Sequence, residues 1–295
     1  MRAPLAPPPL PETPRKHATF CGEASSVDNR ALTIAADRPV PWWVRGVLWI
    51  AAAQALLLLL ALVQPSAVSL LVPWPASPLN ARFIASLYVA LGCGVLLASL
   101  APTFRQVRIV LVGVAVATTL LLILTVLRMS THPGEIARFP LFWLLFYVVD
   151  PLLVGLVFWR LGWGGGEASG GGSLTALWLV QAVLFGATGA VLLLAPSLAR
   201  SLWPWAITEP QAQLYSAFFL TIAVTGLLAA REPRWDGVRW LAFMVALLGV
   251  LVLAVSLLHL PRFTRGAETV VWLAIFAAEA AVFGGLFVRH AVARS

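Results

Sequence analysis

Apolar residues run through this chain in long unbroken blocks, and polar residues are confined to the gaps between them. Eight blocks stand near 44–64, 82–101, 107–127, 140–160, 174–195, 212–230, 239–260 and 268–289. Each approaches the roughly 20 residues that a helix needs to cross a bilayer. None alternates apolar and polar with period two, and backbone groups in lipid must be satisfied within the segment, so the blocks predict helices rather than strands. The expected fold is an all-α membrane protein of eight transmembrane helices.

The gaps carry a second regularity. Pro65, Ser66, Leu71, Pro73 and Trp74 return 131 positions later as Pro196, Ser197, Leu202, Pro204 and Trp205. At the same offset Pro102, Val107 and Arg108 meet Pro233, Val238 and Arg239. After a two-residue slip Trp143, Leu144, Gly155, Phe158 and Arg160 meet Trp272, Leu273, Gly284, Phe287 and Arg289, and Asp150 meets Glu279. Such self-similarity predicts a tandem repeat of four helices plus four. The organisation read from it is a Pro-rich tail over 1–43, a first unit over 44–161, a Gly-rich linker over 162–173, a second unit over 174–290 and a short tail over 291–295. Four is even, so both units should enter the membrane from the same side as a parallel repeat.

Composition agrees with the blocks. Of 295 residues, 60% are hydrophobic and 11% charged, too little polar surface for a soluble globule. The tail opens with six prolines in fourteen positions and reads as disordered, and it lacks the apolar core and cleavage site of a signal peptide. A net charge of +8 would suggest nucleic acid in a soluble protein. Here no basic patch with interleaved aromatics lies outside the apolar blocks, so no nucleic-acid partner is expected. The charge serves topology instead: with the N-terminus inside, fourteen Arg and Lys fall on inner segments and six on outer ones. Both termini are therefore expected in the cytoplasm, with Trp74, Trp203 and Trp205 as anchors at the outer interface.

Candidate chemistry is sparse. Asp150 and Glu279 each sit about ten residues into a block, where a carboxylate costs roughly 2.5–3.5 kcal/mol on insertion scales. If the fourth and eighth helices meet, these acids and Tyr147 would line a polar site between the units, for proton-coupled movement of a small solute. The structural alternative has Asp150 donating to a carbonyl near Pro151, and Glu279 bonding across a helix interface. The eighth helix, with an acidic face opposite the small residues Ala277, Ala281, Gly284 and Gly285, is expected to be central; Ala182, Gly186 and Ala190 form a similar stripe on the fifth. Arg82, Arg128 and His259 stand at outer helix ends, where arginines bind acidic headgroups or snorkel to the interface. Two cysteines and four histidines make no metal, haem or redox spacing, and no nucleotide or hydrolase motif is present. No cofactor and no catalysis are expected, and an accessory role beside a membrane-protein partner is the remaining alternative.

The outer loop, read as W-P-W-x-x-[ST] with flanking prolines, appears as Pro73, Trp74, Pro75, Ser77 and Pro78, and again as Pro204, Trp205, Thr208 and Pro210. It resembles loops of bacterial multi-pass membrane proteins that have no assigned activity. The resemblance implies a bacterial inner-membrane setting.

Overall fold

The computed structural model describes residues 38–68, 76–131, 141–163 and 174–292, apart from the side chains of 141 and 142. The Pro-rich tail, the Gly-rich linker and Trp74 lie outside these or nearly so. Eight helices are long and apolar enough to cross a membrane, and the described residues hold no strand. They are α1, in two pieces Trp42–Leu56 and Leu59–Val63, then α2 Pro78–Ser99, α3 Arg105–Thr131 and α4 Leu141–Leu161. These are followed by α5 Thr175–Leu194, α6 Glu209–Ala229, α7 Trp235–Leu258 and α8 Ala267–Val292. A short helix, Pro196–Leu202, joins α5 to the loop before α6.

Local chemistry sets several ends. Ser77 caps α2 by accepting from the Asn80 amide, and Pro78 occupies a first-turn position where its missing N–H costs nothing. Thr208 and Gln211 form a reciprocal capping box at the start of α6, each side chain accepting from the other's amide. Gly162, with φ of 63°, ends α4 in the left-handed region and donates its amide to the Phe158 carbonyl.

The ends of the helices sort into two groups. At one end Arg45 of α1 donates to the carbonyls of Ser99, the last residue of α2, and of Ala101 beyond it, Thr175 of α5 donates to Ala230 beyond α6, and Trp235 of α7 stacks on His290 of α8. Arg38, ahead of α1, reaches the Leu161 carbonyl at the end of α4. At the other end Arg82 of α2 donates to the Leu62 carbonyl of α1 and contacts His259 beyond α7. Odd-numbered helices therefore start at the first end and even-numbered ones return to it, so both groups of four enter alike.

Packing divides the bundle into a centre and a periphery. α1 lies on α2, α3 on α4, α5 on α6 and α7 on α8; the two groups meet where α2 packs on α7, and α3 on α6 and α7. One contact at the α2–α7 seam has a counterpart at the α3–α6 seam. Gly94 lies against Met244, and Gly113 against Thr225, whose Cγ2 would be 3.2 Å from an added Cβ. Adding 131 to Gly94 and Gly113 gives Thr225 and Met244, so the shift exchanges one contact for the other. Asn80 and Gln211, also 131 apart, bond to each other at 3.2 Å.

This arrangement corrects the placement of α8. It packs mainly on α7 and lies at the edge, with Ala277, Ala281 and Gly285 exposed on its outer side. The close approach that small residues allow is made from α7 instead: a Cβ on Gly249 would stand 2.7 Å from the Ala280 nitrogen and 2.8 Å from the Phe276 carbonyl. On α5 the stripe does face a neighbour, with Gly186 and Ala182 against Ala223 and Gly226 of α6.

Candidate functional site

Asp150 and Glu279 do not meet. Asp150 on α4 accepts from Gln54 of α1 at 3.3 Å, and Glu279 on α8 accepts from Gln181 of α5 at 3.3 Å. Each acid is buried, 3% and 8% exposed, within its own group of four helices. The shared central site expected from the sequence is thus replaced by two separate amide–acid pairs, because α4 and α8 pack on opposite flanks of the central four helices. Tyr147 sits one turn before Asp150, and its hydroxyl bonds to that of Tyr88 at 2.8 Å.

The surroundings of the two pairs differ. Around Asp150 a cavity of about 30 Å³ is lined by Gln54, Tyr88, Thr118, Trp143 and Tyr147 among others. That is room for about one water. In the second group the positions of Tyr88, Trp143 and Tyr147 are held by Phe219, Trp272 and Phe276, which floor a groove of about 450 Å³ between α5, the short helix and α8. Its lining is apolar or aromatic except for Thr188 and Glu268. The backbones of α1 and α4 approach more closely than those of α5 and α8, which meet through Gln181–Glu279 and through Trp178 against Phe283, with ring centroids 4.8 Å apart.

The outer-loop tryptophans turn inward. Trp203 and Trp205 are buried in a cluster with Phe83, Tyr215 and Trp272, at centroid separations of 4.9–6.2 Å. Trp205 donates to Asn80 Oδ1 at 2.6 Å, and Tyr215 donates to the same oxygen at 3.1 Å. Indoles so used cannot also lie exposed among headgroups, which corrects their expected role as anchors; Trp74 lies outside the described residues. Arg82 likewise does not snorkel. Its Nε donates to the Leu62 carbonyl at 2.9 Å, and its terminal nitrogen donates to His259 Nε2 at 2.8 Å. Burial, and then the charges of Arg82 and Arg262, hold His259 below the usual histidine range. Arg128 is half-buried beside Gln213, Leu124 and Leu193, at the rim of a separate hollow of about 490 Å³.

Three polar features escaped the sequence. Glu232, between α6 and α7, is clamped by Arg105 at 3.1 Å and by Arg108, all three nearly fully buried. Arg239 donates to Gln106 at 2.7 Å across the same seam. Asn80 and Gln211 are the third, and their 131-residue separation was the available signal. Among the described residues no three of His, Cys, Asp and Glu cluster to hold a metal ion. No protein-family model, no curated protein and no solved structure matches the chain.

Proposed function

We propose that this multi-pass membrane protein is non-catalytic and acts by holding other membrane components in place, an accessory or assembly role, rather than by moving a solute. It is built of two copies of one four-helix unit, set in parallel about an axis along the membrane normal, with both termini in the cytoplasm of a bacterial cell and the bundle in its inner membrane. The exchange of the Gly94–Met244 and Gly113–Thr225 contacts under the 131-residue shift supports the duplication. The Arg and Lys bias supports the orientation.

One observation carries the functional reading: each intramembrane acid is bonded to a glutamine inside its own unit, and the seam where a transporter would place a shared site encloses only an apolar hollow of about 60 Å³, lined by Gly113, Thr225 and Met244 among others and reached by neither acid. The roughly 30 Å³ beside Asp150 favours a second reading, a proton or small-cation site in the first unit. Proteoliposomes with an imposed proton gradient separate the two. On the accessory reading the protein dissipates the gradient no faster than empty vesicles. Faster dissipation that disappears in the folded Asp150→Asn, Glu279→Gln double variant would establish transport instead.

A further inference from the structure

We propose that the groove between α5 and α8 binds one acyl chain of a membrane lipid whose headgroup carries an amine. The groove opens to the surroundings between two spans, since Leu184, Val191, Leu202 and Val271 on its walls are exposed. In a bilayer such a hollow does not stay empty, because its lining would forfeit dispersion contacts on one side. Size decides the occupant. A helix about 10 Å across with a 1.5 Å rise fills about 120 Å³ per residue, so 450 Å³ holds about one turn, too little to seat a partner helix. A methylene group is comparable in size to a water, about 30 Å³, so the same space takes a chain of about fifteen carbons.

Charge selects the headgroup. Glu268, in the first turn of α8, is the one ionisable side chain on the lining and stands at the interfacial end of the span. The indoles of Trp203 and Trp272, both buried, line the apolar part of the same groove. A carboxylate favours an ammonium over a phosphate or carboxylate. In the first group the side chains that stand where Phe219 and Phe276 do, Tyr88 and Tyr147, bond to each other.

The test is photolabelling of the full chain reconstituted in vesicles. The probe is an ethanolamine lipid with a diazirine in one acyl chain, compared with the same lipid N-acetylated. The amine probe is expected to label groove residues such as Thr188, Val191 and Ile275, and to do so about two- to fivefold more than the acetylated probe, the range of a partly exposed ion pair. Glu268→Gln should remove that preference without changing labelling elsewhere. Phe219→Tyr with Phe276→Tyr should close the groove and lower labelling by both probes. If that pair fails to fold, Ala187→Phe fills the groove from its exposed wall and is read the same way. Equal labelling by the two probes, or label spread evenly over all exposed spans, would overturn the proposal.

Discussion

The two groups of four helices share a frame and differ in what they enclose. In the first, Tyr88 and Tyr147 bond to each other above the Gln54–Asp150 pair, α1 packs on α4, and about 30 Å³ remains. In the second, Phe219 and Phe276 take those positions above Gln181–Glu279, and a groove of about 450 Å³ that reaches neither Gln181 nor Glu279 opens beside the two phenyl rings. Two hydroxyl groups mark the difference between the aromatic layers of the two groups. A buried hydroxyl needs a partner, and the cheapest partner is another hydroxyl brought close; two phenyl rings impose no such distance. The amide–acid pair is common to both groups, so it belongs to the frame, while the difference between them lies in the aromatic layer above it.

That comparison presumes that the two groups are locked together, and the largest expected effect tests the lock. Glu232→Gln leaves Arg105 and Arg108 buried without their carboxylate. Breaking a buried ion cluster on one side typically costs about 3–5 kcal/mol. The midpoint of unfolding in detergent should fall accordingly, and an unchanged midpoint would show that the packed seam alone holds the groups. Next, Gly249→Ala should cost about 1–3 kcal/mol, because the atoms that meet the new methyl are backbone of α8 and cannot rotate away. Its damage should stay in the second group: cysteine pairs placed across α1 and α4 should crosslink as before, and pairs across α7 and α8 more slowly.

The tyrosine pair sharpens the comparison at the next level down. Tyr147→Phe strands the buried Tyr88 hydroxyl and should cost about 1–3 kcal/mol, whereas Tyr88→Phe with Tyr147→Phe makes the first site resemble the second and should be nearly neutral. A double variant as unstable as the single one would mean that the hydroxyls have another partner.

The eight spans were legible in the sequence because lipid allows few alternatives: block length and the absence of alternation suffice, and the observed bounds fall within a few residues of those expected. The positions of Asp150 and Glu279 inside their spans were legible for the same reason. Their partners were not. Gln54 and Gln181 are 127 residues apart and not 131, since α1 reaches Pro65 in eleven residues from its glutamine and α5 reaches Pro196 in fifteen, about one turn more. The central place of α7 rather than α8 was hidden too, because small residues mark a face able to approach a neighbour without saying which neighbour comes. Trp203 and Trp205 misled for a related reason: an indole at a helix end suits either an interface or an aromatic cluster, and only Asn80, 125 residues from Trp205, decides between them.

The smallest effect concerns the link between the groups at the end where α2 begins and α7 finishes. Arg82 donates to His259 Nε2, which requires that nitrogen to be unprotonated, and burial with the charges of Arg82 and Arg262 holds the folded-state pKa below that of a free histidine. The unfolded chain then binds a proton near pH 6.5 that the folded chain refuses. The contribution of this contact to stability is complete above that pH and is lost progressively as pH falls toward the lower folded value. His259 is only half-buried, so the loss should be a small fraction of the effects above. Unfolding midpoints measured from pH 7.5 to 5 should show it as a shallow decline that is absent in Arg82→Gln, His259→Gln. A decline of the same depth in that variant would place the titrating group elsewhere and leave the Arg82–His259 contact without a part in the pH response.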